Sequence, residues 1–322
     1  MATYKEIQGE AIVNTSSDIT SEGQVFYNTP GNAFKLSSTT TEAWASGGNL
    51  NTARTELGGF GTQTACVAAA GNTPPGDSNA AEEYNGTSWT NVSNLPESKK
   101  ELSGGAGTES AGLVCGGFSY PPFNIRTSTQ EYDGSSWSSG GSMSNGGRGK
   151  SCLGTLQTSA VAFGGQSPTA PTQPAKVEEY DGSSWTAGGD MSTGRNNAGG
   201  GGSVPSAVVF GGGSPSAATE EYNGSSWTSG GALNEGRGSG IKGGTQGTQT
   251  AAIAMGGSPS NNTELYDGTS WTVATNLATP RGYGGPGGTQ SSAILFGGSP
   301  MSNATEEFTG AGIAQTETID VT

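Results

Sequence analysis

The string Tyr-(Asp/Asn)-Gly-(Ser/Thr)-Ser-Trp occurs five times, ending at Trp89, Trp137, Trp185, Trp227 and Trp271. Trp44 opens the series as an incomplete copy, and the successive spacings are 45, 48, 48, 42 and 44 residues. A block recurring at one period is a supersecondary unit that cannot bury its apolar face alone, so the copies must stack on one another. This period fits a four-stranded propeller blade. It exceeds the ~34 residues of a helical hairpin repeat and is too irregular for a stacked β-helix.

Residues 239–274 show how one copy reads. Ser239 to Gln246 is Gly-rich, Thr250 to Gly257 is a short apolar run, and Thr263 to Asp267 and Ser270 to Ala274 alternate. Short segments at ~10-residue spacing, separated by turn residues, are the all-β pattern. They are named strands a to d. Asp267-Gly268 and its counterparts Asn85-Gly86, Asp133-Gly134, Asp181-Gly182 and Asn223-Gly224 favour positive φ and predict a tight c-to-d hairpin. Small residues such as Gly199 to Gly202 and Gly284 to Gly288 suit strand a, which must pack around a crowded central axis. No helical periodicity with caps occurs, so the chain is expected to be all-β.

Glycine stands at 58 residues and hydrophobic residues at 30%, a composition that by itself leans towards disorder. The regular Trp and Tyr positions argue against that, because a disordered chain has no use for large side chains at fixed offsets. Trp44, Trp89, Trp137, Trp185, Trp227 and Trp271 are expected to wedge between blades; burying ~200 Å² of each is worth up to roughly 5 kcal/mol. An aromatic sugar-stacking role is the alternative for a few of them.

Strand b closing in Gly-Gly, then Tyr, then Trp five residues on, then an Arg before strand a, resembles the kelch motif. The match runs from about residue 44 to residue 308, and 271–298 (WTVATNLATPRGYGGPGGTQSSAILFGG) fits best. The resemblance implies a structural, blade-bridging role for Arg54, Arg148, Arg195, Arg237 and Arg281, with Lys99 or Lys100 in the remaining repeat. Departures are Ala70-Gly71 in place of the first Gly-Gly, and Phe308 in place of the sixth Tyr with no Trp after it.

Strand b occurs six times, at 64–71, 110–117, 159–165, 206–212, 250–257 and 292–298. The sixth copy stops after strand c, while Trp44 belongs to a strand d without preceding partners. The N-terminal strand around Ala43 to Ser46 should therefore complete blade six, giving a six-bladed ring with no open edge. Three segments are expected: an N-terminal arm 1–32, the propeller 33–308 and a C-terminal extended arm 309–322. Glu6 to Val13 is a plausible strand, and Ile313, Thr316, Ile319 and Val321 alternate with polar residues. Each arm is too small to fold alone, and is either loose or adds a strand to a neighbour.

Inventory limits the chemistry. The chain has no histidine, which removes Ser-His triads, the usual zinc and copper clusters and imidazole acid–base catalysis. Glu82-Glu83, Glu178-Glu179, Glu220-Glu221 and Glu306-Glu307 point to opposite faces of a strand, so they form no glycosidase dyad and read as a solvated outer strand. Cys66, Cys115 and Cys152 read as buried hydrophobes rather than disulfides. No cofactor is expected, and no enzymatic activity. The formal net charge of −14 leaves no basic stripe for nucleic acid and disfavours anionic membranes; no apolar run is long enough for membrane insertion. The N-terminus lacks the layout of a secretory signal.

The segment Glu22 to Lys35 (EGQVFYNTPGNAFK) followed by Gly/Ser/Thr-rich kelch-like repeats resembles virion proteins of marine tailed bacteriophages. That resemblance implies a structural component of the particle, a capsid or tail decoration or fibre-type protein. Its expected partners are other virion proteins, through the terminal arms, and a host surface glycan or protein. The alternative is a carbohydrate- or protein-binding propeller at a bacterial surface or in the cytoplasm. Contacts are expected on the b-to-c face, where 118–128 carries Tyr120, Phe123, Ile125 and Arg126 stiffened by Pro121 and Pro122, and 166–176 is Pro-rich.

Overall fold

A computed structural model of the chain describes residues 13–15, 25–28, 30, 33–166, 174–238, 240–312 and 314–319. The described residues contain no helix, and two compact units emerge: Ala43–Phe308, and Met1–Glu42 with Thr309–Thr322.

The larger unit is a six-bladed β-propeller of four-stranded antiparallel sheets, each ordered a-b-c-d. Blades one to five span residues 58–92, 106–139, 151–187, 199–229 and 242–274. Blade six takes Gly285–Gly288, Ser292–Phe296 and Thr305–Thr309, and its fourth strand is Ala43–Ser46, as the strand count required. The last four residues of every strand b are buried. Strand d carries its tryptophan inward and is otherwise largely exposed. Alternation thus weakens towards the axis, where both sheet faces are covered.

Each c-to-d hairpin sets its Tyr directly opposite its Trp, with ring centroids 4.8–4.9 Å apart. The Asn or Asp that begins the turn accepts two backbone N–H bonds through one side-chain oxygen, as Asn85 does from Thr87 and Ser88. Those bonds also favour the carboxylate, so Asp181 is held down at about 2 and Asp133 and Asp267 are lowered likewise.

Neighbouring blades are stitched by recurring polar contacts. The N–H of the second glycine after strand b donates to the carbonyl that opens the next blade: Gly71 to Lys99, Gly117 to Gly147, Gly165 to Arg195, Gly212 to Arg237, Gly257 to Arg281 and Gly298 to Arg54. Gly212 lies at φ 86°, where a Cβ would also press on Ala198 at 2.8 Å. Each Tyr hydroxyl donates to a carboxylate of the preceding blade: Tyr84 to Glu307, Tyr132 to Glu83, Tyr180 to Glu131, Tyr222 to Glu179 and Tyr266 to Glu221. Indole N–H groups of Trp44, Trp89, Trp185 and Trp271 reach Thr263, Thr305, Thr129 and Thr219 of the preceding blade. Where that threonine is Ala81 or Val177, Trp137 and Trp227 turn to the carbonyls of Ser93 and Gly189 and stay half-buried.

Several expectations need correction. The first glutamate of each pair is not solvated: Glu82, Glu178, Glu220 and Glu306 are buried, as is Glu264. Arg54, Arg195, Arg237 and Arg281 each bind one of them, at 2.7, 2.5 and 2.7 Å for the first three, and also reach carbonyls of strand b and the b-to-c loop. The second carboxylate oxygen accepts a backbone N–H from the preceding d-to-a connection, as Glu82 does from Asn51 and Glu306 from Ala278. Both carboxylate oxygens are thus engaged, which offsets the cost of burying the charge, although Nε of Arg54, Arg195 and Arg237 has no hydrogen-bond partner.

Arg148 is the second correction. In blade three the stitched carbonyl belongs to Gly147, so Arg148 lies one residue past the repeat position. Its guanidinium instead makes a paired contact with Glu101 at 2.7 and 2.8 Å, and Lys150 supplies the buried cation, 4.0 Å from Glu178. In blade two the corresponding positions hold Lys99 and Gln130, both buried and with no hydrogen bond at the Lys99 amine or Gln130 Oε1, and burial lowers the Lys99 ammonium to about 8.

The smaller unit contains one four-stranded sheet: Val13–Thr15 parallel to Val25–Asn28, then Ala33–Thr39, then Ala314–Thr318 antiparallel to it. The two chain ends therefore pair with each other rather than forming two independent arms, and the ring begins at Ala43 rather than residue 33. Tyr27 and Phe34 pack edge-on across this sheet at 5.1 Å. The proposed strand at Glu6 to Val13 falls outside the described residues except for Val13, as do Ile313, Val321 and most of the Pro-rich loop 166–176.

Candidate functional site

The propeller axis is closed. Strand a of blade five shrinks to Lys242–Gly243, and the Lys242 amine crosses to blade two, ending 3.4 Å from the Leu102 carbonyl oxygen and 3.3 Å from Ser103 Oγ. Gly243 presses so closely on blade four that a Cβ would lie 1.9 Å from the Gly200 oxygen. A void of about 10 Å³ is left there, at the lower limit for one water.

Above the plug, d-to-a residues form a hydrogen-bonded collar. Glu56 N–H donates to Tyr283, Leu102 to Glu56, Gly149 to Glu101, Asn197 to Gly149 and Tyr283 to Gly240. Glu56, Glu101, Asn197 and Tyr283 hold φ between 51° and 60°, a strained conformation for L side chains that the shared collar imposes. Burial, and then neighbouring Glu101, raise the Glu56 carboxyl above its ordinary range.

The d-to-a connections bridge to the b-to-c loops at Arg54 with Ser302, Thr55 with Asn72, and Lys100 with Phe118, so both build one face. Here blades one and two raise small hairpins, Asn72–Thr73 with Gly76–Asp77, and Phe118–Ser119 with Asn124–Ile125. An open cleft of about 450 Å³ runs between them, bounded by Pro75, Asp77, Ser98, Tyr120, Pro122 and Arg126 among others. Asp77 ties the hairpins together by accepting the Tyr120 N–H at 2.6 Å, and lies 3.1 Å from the Lys100 amine.

Of the four contact candidates, Tyr120 and Phe123 are exposed at 59% and 46%, whereas Ile125 and Arg126 are half-buried. Arg126 lines the cleft with Tyr120 and bonds Ser119 Oγ at 3.0 Å; Phe123 and Ile125 do not line it. Phe123 packs on Phe118 at 5.5 Å, and Ile125 pairs with Phe118 across the hairpin. Phe118 is the anchor that sequence reasoning missed. Its ring lies beneath both Lys100 and Arg148, at 5.2 and 5.0 Å, a double cation–π contact fixing the hairpin to the blade two–three junction. The six tryptophans lie between blades, away from this cleft, and the buried arginines stay within the ring framework.

Glutamines of the a-to-b turns were also missed. Gln63, Gln157, Gln249 and Gln290 each donate to one strand-b and one strand-c carbonyl of the preceding blade. Their recurrence just before Thr64, Thr158, Thr250 and Ser291 was the available signal.

The fold defines a six-bladed β-propeller. No family model matches the chain, and no curated protein matches it in sequence. It is similar in fold to solved structures, among them a structure of YjhT at a TM-score of 0.62 and 13% identity, covering 84% of this chain and 99% of that one. Identity at that level concerns the fold alone. No helix among the described residues is long and apolar enough to cross a membrane.

Proposed function

We propose that this chain is a non-enzymatic structural component of a bacteriophage virion, a kelch-like propeller that decorates the capsid or tail and contacts neighbours or the host surface. The observation that carries the reading is the terminal sheet, in which residues from both chain ends pair through Ala33–Thr39 and Ala314–Thr318. Such a unit is a sheet of its own, and its outer strands offer backbone groups for strand addition by a neighbouring subunit. The resemblance of Glu22 to Lys35 to phage virion proteins points the same way. Mass spectrometry of gradient-purified particles tests it: the chain should co-purify at a fixed ratio to the major capsid protein. Its loss from particles on purification sinks the reading.

The cleft favours a second reading, a free binding propeller of a bacterium. In that case the chain would be found in the cell fraction and would keep its binding with the terminal sheet removed.

A further inference from the structure

We propose that the cleft between the blade-one and blade-two hairpins is a receptor site for a short uncharged oligosaccharide. This rests on the reading of the b-to-c face as the contact surface, and adds the chemistry of the ligand.

The shape comes first. A volume of about 450 Å³ lies within the ~300–1,000 Å³ typical of small-molecule sites. It is concave and walled by two hairpins locked together through the Asp77–Tyr120 contact, so little ordering is needed on binding. Pro75, Pro121 and Pro122 stiffen those walls.

The lining chemistry is mixed in the way a sugar is mixed. A pyranose presents an apolar C–H face and a rim of hydroxyls that both donate and accept. Tyr120 offers an exposed aromatic ring for the first. Thr73, Ser98 and Ser119 provide hydroxyls that donate and accept, and Arg126 adds donors, for the second, while the Asp77 carboxylate stays engaged with Tyr120 and Lys100. An apolar peptide side chain would leave those polar groups desolvated and unpaired.

Charge selects among sugars. Arg126 Nε lies 3.9 Å from Glu97, and the Lys100 amine 3.1 Å from Asp77, so each cation near the cleft has its own carboxylate. With a chain charge of −14 around it, the site offers a polyanion no net attraction. A neutral chain pays no such penalty.

The purified full chain is tested against immobilised neutral hexose and N-acetylhexosamine oligosaccharides beside sulfated and carboxylated ones. At least one neutral chain should be retained, with affinity unchanged between about 50 mM and 500 mM salt. Tyr120→Ala should weaken that binding roughly tenfold or more while Tyr120→Phe keeps it. Met301→Ser, in the blade-six loop of the same face, should bind as the native protein does. The proposal falls if no neutral chain is held more tightly than about 1 mM. It also falls if only anionic chains bind, or if Tyr120→Ala binds normally. Particle composition is scored independently: a chain present in virions that ignores neutral sugars removes this site alone, and a sugar-binding chain missing from virions removes the virion reading alone.

Discussion

Replacing Lys242 by methionine should change how stability depends on pH, because the axis holds a buried cation beside a void with room for one water at most. The side chain is buried, and its amine touches only the Leu102 carbonyl and Ser103 hydroxyl, with no carboxylate in contact. Burial lowers this ammonium from 10.5 to about 7, against a weaker opposing pull from Glu56. A displacement of that size corresponds to about 5 kcal/mol between the charged and neutral forms. The unfolded chain keeps the proton up to about pH 10.4, whereas the folded chain releases it near 7. Between those values the unfolded state binds more protons, so stability rises with pH; below about 7 the full cost of burying the charge is present.

Lys242→Met removes that cost and leaves the Leu102 carbonyl and Ser103 hydroxyl without their donor, a loss of about 1–3 kcal/mol. The variant should thus be more stable than the native chain by about 2–4 kcal/mol at pH 6, and less stable by about 1–3 kcal/mol near pH 10. Guanidinium unfolding of both proteins across this range measures the difference, in which the other titrating groups cancel. A difference that stays constant with pH would refute the buried, unpaired ammonium.

Three further outcomes follow from the ring contacts. Trp185→Ala should cost about 3–5 kcal/mol in denaturant unfolding, and Trp137→Ala distinctly less, since Trp137 is half-buried and lacks a threonine partner; the reverse order would contradict the packing. Arg281→Met should cost about 3–5 kcal/mol by stranding buried Glu306, whereas Arg148→Met, whose pair with Glu101 is partly exposed, should cost about 1 kcal/mol. Equal losses would return Arg148 to the repeat position. Deleting residues 1–50 removes the fourth strand of blade six and should yield an aggregating or unfolded product, while deleting 1–20 should leave the melting temperature of the ring nearly unchanged; a monomeric, equally stable 51–322 would overturn the closure.

The period of the Trp blocks and the unbalanced strand count make the blade number and the closing strand legible in the sequence alone. Both are bookkeeping properties of a repeat, in which one misplaced strand leaves an unpaired edge. The buried glutamates were not legible in the same way. On a strand, Glu82 and Glu83 differ only by the face they take, and the face is set by an arginine that arrives from the preceding connection. Arg148 misled for a related reason: Gly147 and Lys150 together do what a single arginine does elsewhere, and a backbone hydrogen bond marks the register. The cleft depends on two loops 40 or more residues apart meeting through Asp77 and the Tyr120 amide, a contact no local pattern announces. Tyr120 and Arg126 stood out by residue type alone, while Phe118 hid because its role is to carry the hairpin and not to face solvent.

Departures from the repeat are themselves paired, and this permits a last test. Every Tyr of blades one to five finds a glutamate on the preceding blade. Blade six has Phe308 instead of Tyr, and the residue that it should meet on blade five is Leu265 instead of Glu. Donor and acceptor have been lost together, and both side chains join one apolar cluster with Trp44 packed on Phe308 at 5.2 Å. Leu265→Glu alone would place a carboxylate against that cluster without a donor, at a cost of about 2–4 kcal/mol. Phe308→Tyr alone would bury a hydroxyl without an acceptor, at about 1–3 kcal/mol. The double variant rebuilds the contact used at the other junctions, so it should recover at least about 1.5 kcal/mol of the summed losses in a double-mutant cycle. Strict additivity would mean that Leu265 and Phe308 do not face each other, and that blades five and six are not neighbours in the register described.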